Sequence, residues 1–220
     1  MMKTCETGKS FAPDYHFFKM FWVFLASSVA GCLIETGYAY LRHGDFESRV
    51  GLIYGPFSQI YGFAAVIMIL ILHRIGVKSW LCLFFSSALI GASFEFLSSL
   101  IQEHVFGSVS WDYSNHPLNI FGRTSLEYAV FWGLLGAFLI RVFYPLLSGA
   151  IEKLPCRFGL VITWLLIVFM AADMLLSSAA VMREHERHHN IAATNSIQRI
   201  LDHYYPDSFI KAKYPNMLHV

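Results

Sequence analysis

The sequence predicts an all-α, polytopic membrane helix bundle with about five transmembrane helices, built on a duplicated helical hairpin. Three observations predict it. Of 220 residues, 56% are apolar and only 14% are charged, against about a quarter charged in ordinary soluble domains. Five apolar runs have the length of a spanning helix, which needs about 20 residues. A pattern of small residues ending in a glutamate recurs sixty residues apart. A formal net charge of +1 gives no electrostatic reason to expect a nucleic-acid partner. Four cysteines lie far apart without CxxC pairing, so their spacing implies neither a disulfide framework nor a cysteine zinc site.

In chain order, residues 1–16 form a polar arm. The spans are expected at 17–41, 52–72, 80–101, 125–147 and 158–182. The connections are short, so neighbouring helices should run antiparallel within one bundle over 17–182. Val29-Ala30-Gly31-Cys32 resembles a lipoprotein cleavage box, but apolar character continues past Cys32 into further spans, which favours a retained helix over a signal peptide. The tail, 183–220, is polar. Within it Ile197, Ile200, Leu201 and Tyr204 fall at helical spacing before Pro206, a pattern suited to a short amphipathic helix lying on the membrane or on the bundle.

The repeat aligns Phe24, Ser27, Gly31 and Glu35 with Phe84, Ser87, Gly91 and Glu95. The following loops also match: Pro56-Phe57-Ser58-Gln59-Ile60-Tyr61-Gly62 beside Pro117-Leu118-Asn119-Ile120-Phe121-Gly122. Repeat units of about 17–72 and 80–147, with 158–182 as a last helix, would insert the same way up, related by an axis along the membrane normal. Within each unit the serine, glycine and glutamate are four residues apart and share one helix face. Small residues at that spacing allow close helix approach.

Span parity brings the polar groups to one half of the bilayer. Glu35 lies seven residues before Arg42, about 10 Å along the helix. Glu95, Asp173, Glu127, Arg123, Arg49 and Tyr54 belong to the same half. Glu35, Glu95, Glu127 and Asp173 outnumber Arg49 and Arg123 by two charges. Ionisable groups at membrane depth are expensive and usually face an interior or a wet cavity, which suggests a proton relay or a cationic-ligand site. The alternative is structural: Glu35–Arg49 and Glu95–Arg123 as helix-tying ion pairs, one per repeat. Tyr54, Tyr61, Trp111, Asp112, Tyr113 and Asn119 would line or cap such a site, although Trp and Tyr also serve as interfacial anchors and Asp and Asn as turn formers.

Gly31 to Glu35, then Arg49-Val50-Gly51-Leu52-Ile53-Tyr54-Gly55-Pro56-Phe57, Ile60-Tyr61-Gly62, Glu95, Trp111-Asp112-Tyr113-Ser114, Asn119 and Gly122 together resemble the bacterial CmpB family, the type IV putative ABC-transporter permeases. The likeness runs from Phe17 to Met182, and Asp173 fits it. It departs where Val50 separates Arg49 from Gly51 and where Ser58-Gln59 replaces Cys-Pro, and the histidine-rich tail is no part of the pattern. The resemblance implies a permease-like subunit in the cell membrane, which would need a separate ATPase subunit and a second copy or partner permease. Gly8-Lys9-Ser10 lacks the earlier glycine of a phosphate-binding loop.

His185-Glu186-Arg187-His188-His189 fits H-E-x-x-H formally, the spacing by which two histidines one turn apart hold zinc. No third ligand is evident, and a solvated juxtamembrane helix explains the segment. No catalytic residue, metal or cofactor is assigned, and no enzyme activity is expected. The reading is therefore a multi-pass transporter subunit with a half-buried acidic site for a proton, cation or cationic solute. A non-transporting scaffold or regulatory subunit, or a membrane-embedded enzyme, are the alternatives.

Overall fold

The computed structural model describes residues 11–12 and 15–220, so most of the polar arm expected over 1–16 lies outside the described residues. The fold is an all-α bundle with almost no sheet. Four helices are long and apolar enough to cross a membrane: Phe17–Arg42, Trp80–Phe106, Leu126–Glu152 and Cys156–His188. Helix α1 is Phe17–His43, α2 is Gln59–Ile75 and α3 is Trp80–Phe106. Helix α2 is apolar but has only 17 residues, about 25 Å of rise.

The expected start of the second span at 52 is corrected to Gln59. Pro56 disfavours a helical conformation at the residue before it, and the backbone of 51–58 bonds to itself and to α1 instead. The Ser58 N–H donates to the Ser28 carbonyl at 3.0 Å, and the Gly51 N–H to the Phe57 carbonyl at 2.7 Å. Every such group buried without a partner would be costly.

Helices α3 and α4 (Leu126–Phe138) are joined by a structured loop. It contains β1 (Ser108–Val109) and a small hairpin of β2 (Asn119–Ile120) with β3 (Thr124–Ser125). Gly107 stops α3 in the left-handed region at φ 60°, where glycine carries no steric penalty. Beyond α4 the helix passes through a π turn at Leu139–Phe143 into α5, Tyr144–Glu152. Pro145 explains the turn, since it has no N–H and crowds the carbonyl four residues back.

Helix α6 runs from Cys156 to His188. Cys156 is disulfide-bonded, which cysteine spacing did not indicate, whereas Cys32 and Cys82 are free. The main core joins Val23 of α1, Met68 and Leu72 of α2, Leu83 of α3 and Trp132 of α4. A second contact, unmarked in the sequence pattern, ties α1 to α5: the fully buried Lys19 pairs with Glu152 and donates to Ser148 Oγ at 2.9 Å.

The tail folds back on the bundle. Helix α7 (Ser196–Tyr204) ends before Pro206, and α8 (Asp207–Lys213) follows. Arg183 and Arg187 of α6 both bond Asp202, and Arg187 also bonds Asp207. Ile210 is fully buried against Ile53 and Ala180. The chain then closes as β4 (Leu218–His219), antiparallel to β1 with Ser108 opposite His219.

Candidate functional site

Helices α1, α3 and α6 end, and α2 and α4 begin, on the same side of the bundle. There a cavity of about 400 Å³ opens between them. Of the residues singled out from sequence, Glu35, Arg49, Tyr61, Glu95, Trp111 and Tyr113 line it.

Glu35 and Glu95 reach the cavity from matching positions on α1 and α3. Neutral donors hold Glu95, which is 4% exposed. Its Oε2 accepts from Thr124 Oγ1 at 2.7 Å and its Oε1 from Tyr113 Oη at 3.1 Å, and the Trp132 side chain lies beside it. Glu35 is half-buried and lies beside the Tyr61 side chain. Burial, reinforced by the neighbouring Glu95 carboxylate, pushes the Tyr113 phenol above its ordinary value, so it remains a donor.

The ion pairs of this region differ from those the repeat suggested. Arg123 pairs with Glu103 and donates to Ser99 Oγ at 3.1 Å. Arg49 pairs with Glu47 at 2.7 Å, although it is near enough to act electrostatically on Glu35. Arg42, which also lines the cavity, lies 3.8 Å from Glu127. Each arginine thus has a carboxylate outside the lining, and the two lining carboxylates have hydroxyls and an indole beside them.

The remaining predicted residues lie outside the lining. Glu127 is on the rim, 3.0 Å from His116 Nδ1. Asp173, buried in α6, receives the Tyr54 N–H at 3.2 Å and the Ser177 hydroxyl at 3.2 Å, and Ser177 receives the Ile53 N–H at 2.9 Å. Together they fasten the 51–58 segment. The Tyr54 hydroxyl meets that of Tyr205 at 3.0 Å. Asp112 closes an Asx turn on Ser114, whose hydroxyl and N–H donations hold that carboxyl below the usual carboxylate range. Asn119 spans the same loop, donating to the Ser114 and His116 carbonyls and accepting from the Gly122 N–H at 3.0 Å. Arg123 contributes through its carbonyl, which receives Trp111 Nε1 at 2.8 Å.

Sequence reading missed Tyr38, Gln102, Tyr128 and Trp132, all in the lining, where Gln59, which sequence places in the same half of the bilayer, also lies. Tyr128 stacks on Tyr113 with ring centroids 4.0 Å apart. Gln59 Oε1 and Arg49 Nε are buried with no hydrogen-bond partner among the described residues. The signal for Tyr38 was available, one turn beyond Glu35 near the acidic face of α1; Tyr128 and Trp132 were hidden because α4 is apolar almost all round.

The histidine-rich segment does not converge. His188 stacks on His219 at 4.0 Å, His185 lies against His189 at 4.3 Å, and His219 Nε2 bonds Glu184 at 3.1 Å. Among the described residues no group of three or more His, Cys, Asp or Glu is placed to hold a metal ion.

The profile of the family described as "Putative ABC-transporter type IV" matches residues 22–178. The chain belongs to this family. The match covers most of α1 to most of α6, and so every lining residue except Val181 and the tail residues 214–217. No curated protein and no solved structure matches the chain. Together, the type IV family and four apolar helices of spanning length make this a multi-pass, transporter-related membrane protein.

Proposed function

We propose that this member of the type IV family is the permease-like subunit of a cell-membrane transporter, with the cavity as its site for a cation or cationic solute. One observation carries the reading: two carboxylates, Glu35 and Glu95, share a cavity, and among the described residues no arginine or lysine pairs with either. A carboxylate at membrane depth is costly unless compensated. Here the arginines that would compensate are engaged with Glu47, Glu103 and Glu127. A proton or a cationic ligand supplies the missing charge, and the tyrosines and tryptophans around it add attraction from their ring faces. Gln59 Oε1, an acceptor unpartnered in the lining among the described residues, offers a polar contact to the same occupant. An ATPase subunit would supply the energy, and two copies of the chain or a partner permease would complete the pathway.

The test is gentle purification of the full chain with its associated proteins, followed by reconstitution into vesicles. The Glu35→Gln and Glu95→Gln double variant should hold the same partners, an ATPase among them, and lose flux of a cationic solute. A lone chain with no ATPase and no flux would contradict the proposal. So would a double variant that fails only to assemble, which is the scaffold outcome.

A further inference from the structure

The cavity shares a wall with a second space of different chemistry. An apolar groove of about 140 Å³ runs beside it between α1, α2 and α4, lined by Ser27, Ala30, Gly31, Ala65, Met68 and Phe138 among others, with no charged residue in its lining. The two spaces share four wall residues: Ile34, Tyr61, Trp132 and Leu135. Tyr61 and Trp132, with ring centroids 5.2 Å apart, form the partition. On one side Tyr61 lies beside Glu35 and Trp132 beside Glu95; on the other both line the groove. Small side chains on α1 make the groove, and it lies along the apolar length of α1 and α4.

The polar chamber is covered at the end where α1, α3 and α6 finish. Tyr214, Pro215, Asn216 and Met217 of the tail line it. That strap is fixed on both sides, by buried Ile210 before it and by β4 paired to β1 after it, where the Val220 N–H also donates to the Gly107 carbonyl at 3.1 Å. A chamber lined by charged side chains thus has tail residues in its wall and an apolar annex beside it.

We infer that the occupant is an amphiphile with an ammonium headgroup, lodged with its head against Glu35 and Glu95 and its hydrocarbon tail in the groove, and admitted sideways from the bilayer. The inference rests on the cationic reading of the cavity and adds the tail. A small hydrated cation would have no use for a dry groove sharing the partition residues. A hydrocarbon chain would, since each methylene buried strengthens binding about fourfold.

The experiment is calorimetric titration of the full-length chain in a neutral maltoside detergent, with empty micelles subtracted. The probes are tetramethylammonium, dodecyltrimethylammonium and dodecyl sulfate. Dodecyltrimethylammonium should bind at least about tenfold more tightly than either of the others. Ala30→Phe, which fills the groove, should weaken dodecyltrimethylammonium about tenfold and leave tetramethylammonium unchanged. Glu35→Gln should weaken both cations. Tetramethylammonium binding as tightly as its dodecyl analogue would overturn the amphiphile while leaving the cation site standing. Equal binding of dodecyl sulfate, unaffected by Glu35→Gln, would overturn the charge reading on which it rests. If Ala30→Phe does not fold, the comparison of the three probes on the unaltered chain decides alone.

Discussion

The α1–α2 and α3–α4 hairpins make the same contacts with different residues. In the first, a Cβ on Gly31 would strike the Tyr61 ring, and one on Gly62 would lie 2.7 Å from the Phe24 carbonyl oxygen. In the second, Gly91 faces Trp132 and Gly133 faces Phe84, with the Phe84 carbonyl oxygen 2.9 Å from the built Cβ. Each hairpin ends at a glutamate beside the aromatic residue that its own glycine receives. The difference lies in the loops. The α3–α4 loop supplies Tyr113 and Thr124 to its own glutamate. The α1–α2 segment supplies only Tyr61, and its backbone is fastened from outside by Asp173 and Ser177 of α6. One hairpin organises its carboxylate internally, whereas the other depends on the last helix and, through Ile53 and Ile210, on the tail.

The largest effect should come from the glycines on which both hairpins rely. Gly62→Ala and Gly133→Ala each push a methyl group against a backbone carbonyl, which cannot move aside as a side chain does. Each should destabilise by about 1–3 kcal/mol, read as a fall in the unfolding midpoint in detergent; a neutral result at either position would break the equivalence of the hairpins.

Asp173→Ala should come next and act on one hairpin only. Losing the acceptor of the Tyr54 N–H costs about 1–3 kcal/mol, and hydrogen exchange should quicken over 51–58 while 107–125 stays protected. Equal loosening of both loops would remove the distinction drawn here. Thr124→Val is the counterpart in the second hairpin. It takes one of several donors from Glu95, so about 1 kcal/mol is expected, with exchange changes confined to 107–125.

The smallest effect concerns the tail that supports the first hairpin. Hydrogen bonds from Arg183, and then Arg187, hold the Asp202 carboxyl below the usual carboxylate range. Its folded value is depressed, so its contribution to docking is complete above the unfolded value near about 3.9 and is lost as pH falls through the folded value. Exchange in α7 should therefore quicken only below that range, and Asp202→Asn should abolish the pH dependence. Unchanged exchange on acidification would show that the arginine contacts contribute nothing to holding the tail.

Much of this was legible in the sequence, and the failures have physical causes. The apolar runs gave the helical class directly, and the face shared by Ser27, Gly31 and Glu35 follows from helical spacing alone. The matching glycines of the return helices were misaligned. Phe121-Gly122 echoes Tyr61-Gly62 in letters, but Gly122 sits in a turn at φ 68°, and Trp132-Gly133 makes the equivalent contacts. The connection before α4 is longer than the one before α2 and holds the β2–β3 hairpin, so the residues that make like contacts are not the ones that like letters align. The arginine partners were missed for a related reason. Charge balance showed that pairs were needed but not that nearer carboxylates, Glu47 and Glu103, would take them. Nor could periodicity show that the tail would return to wall the cavity, because Tyr214 and Met217 belong to no patterned element.

The central claim is that Glu35 and Glu95 act on one shared occupant. A double-mutant cycle tests it most directly: dodecyltrimethylammonium binding to the full chain, to Glu35→Gln, to Glu95→Gln and to the double variant. The account predicts a large loss from each single change and a combined loss well short of their sum, because either change alone already removes part of one common interaction. Losses that simply add, or a single variant that binds as the unaltered chain does, would show two independent carboxylates and contradict it.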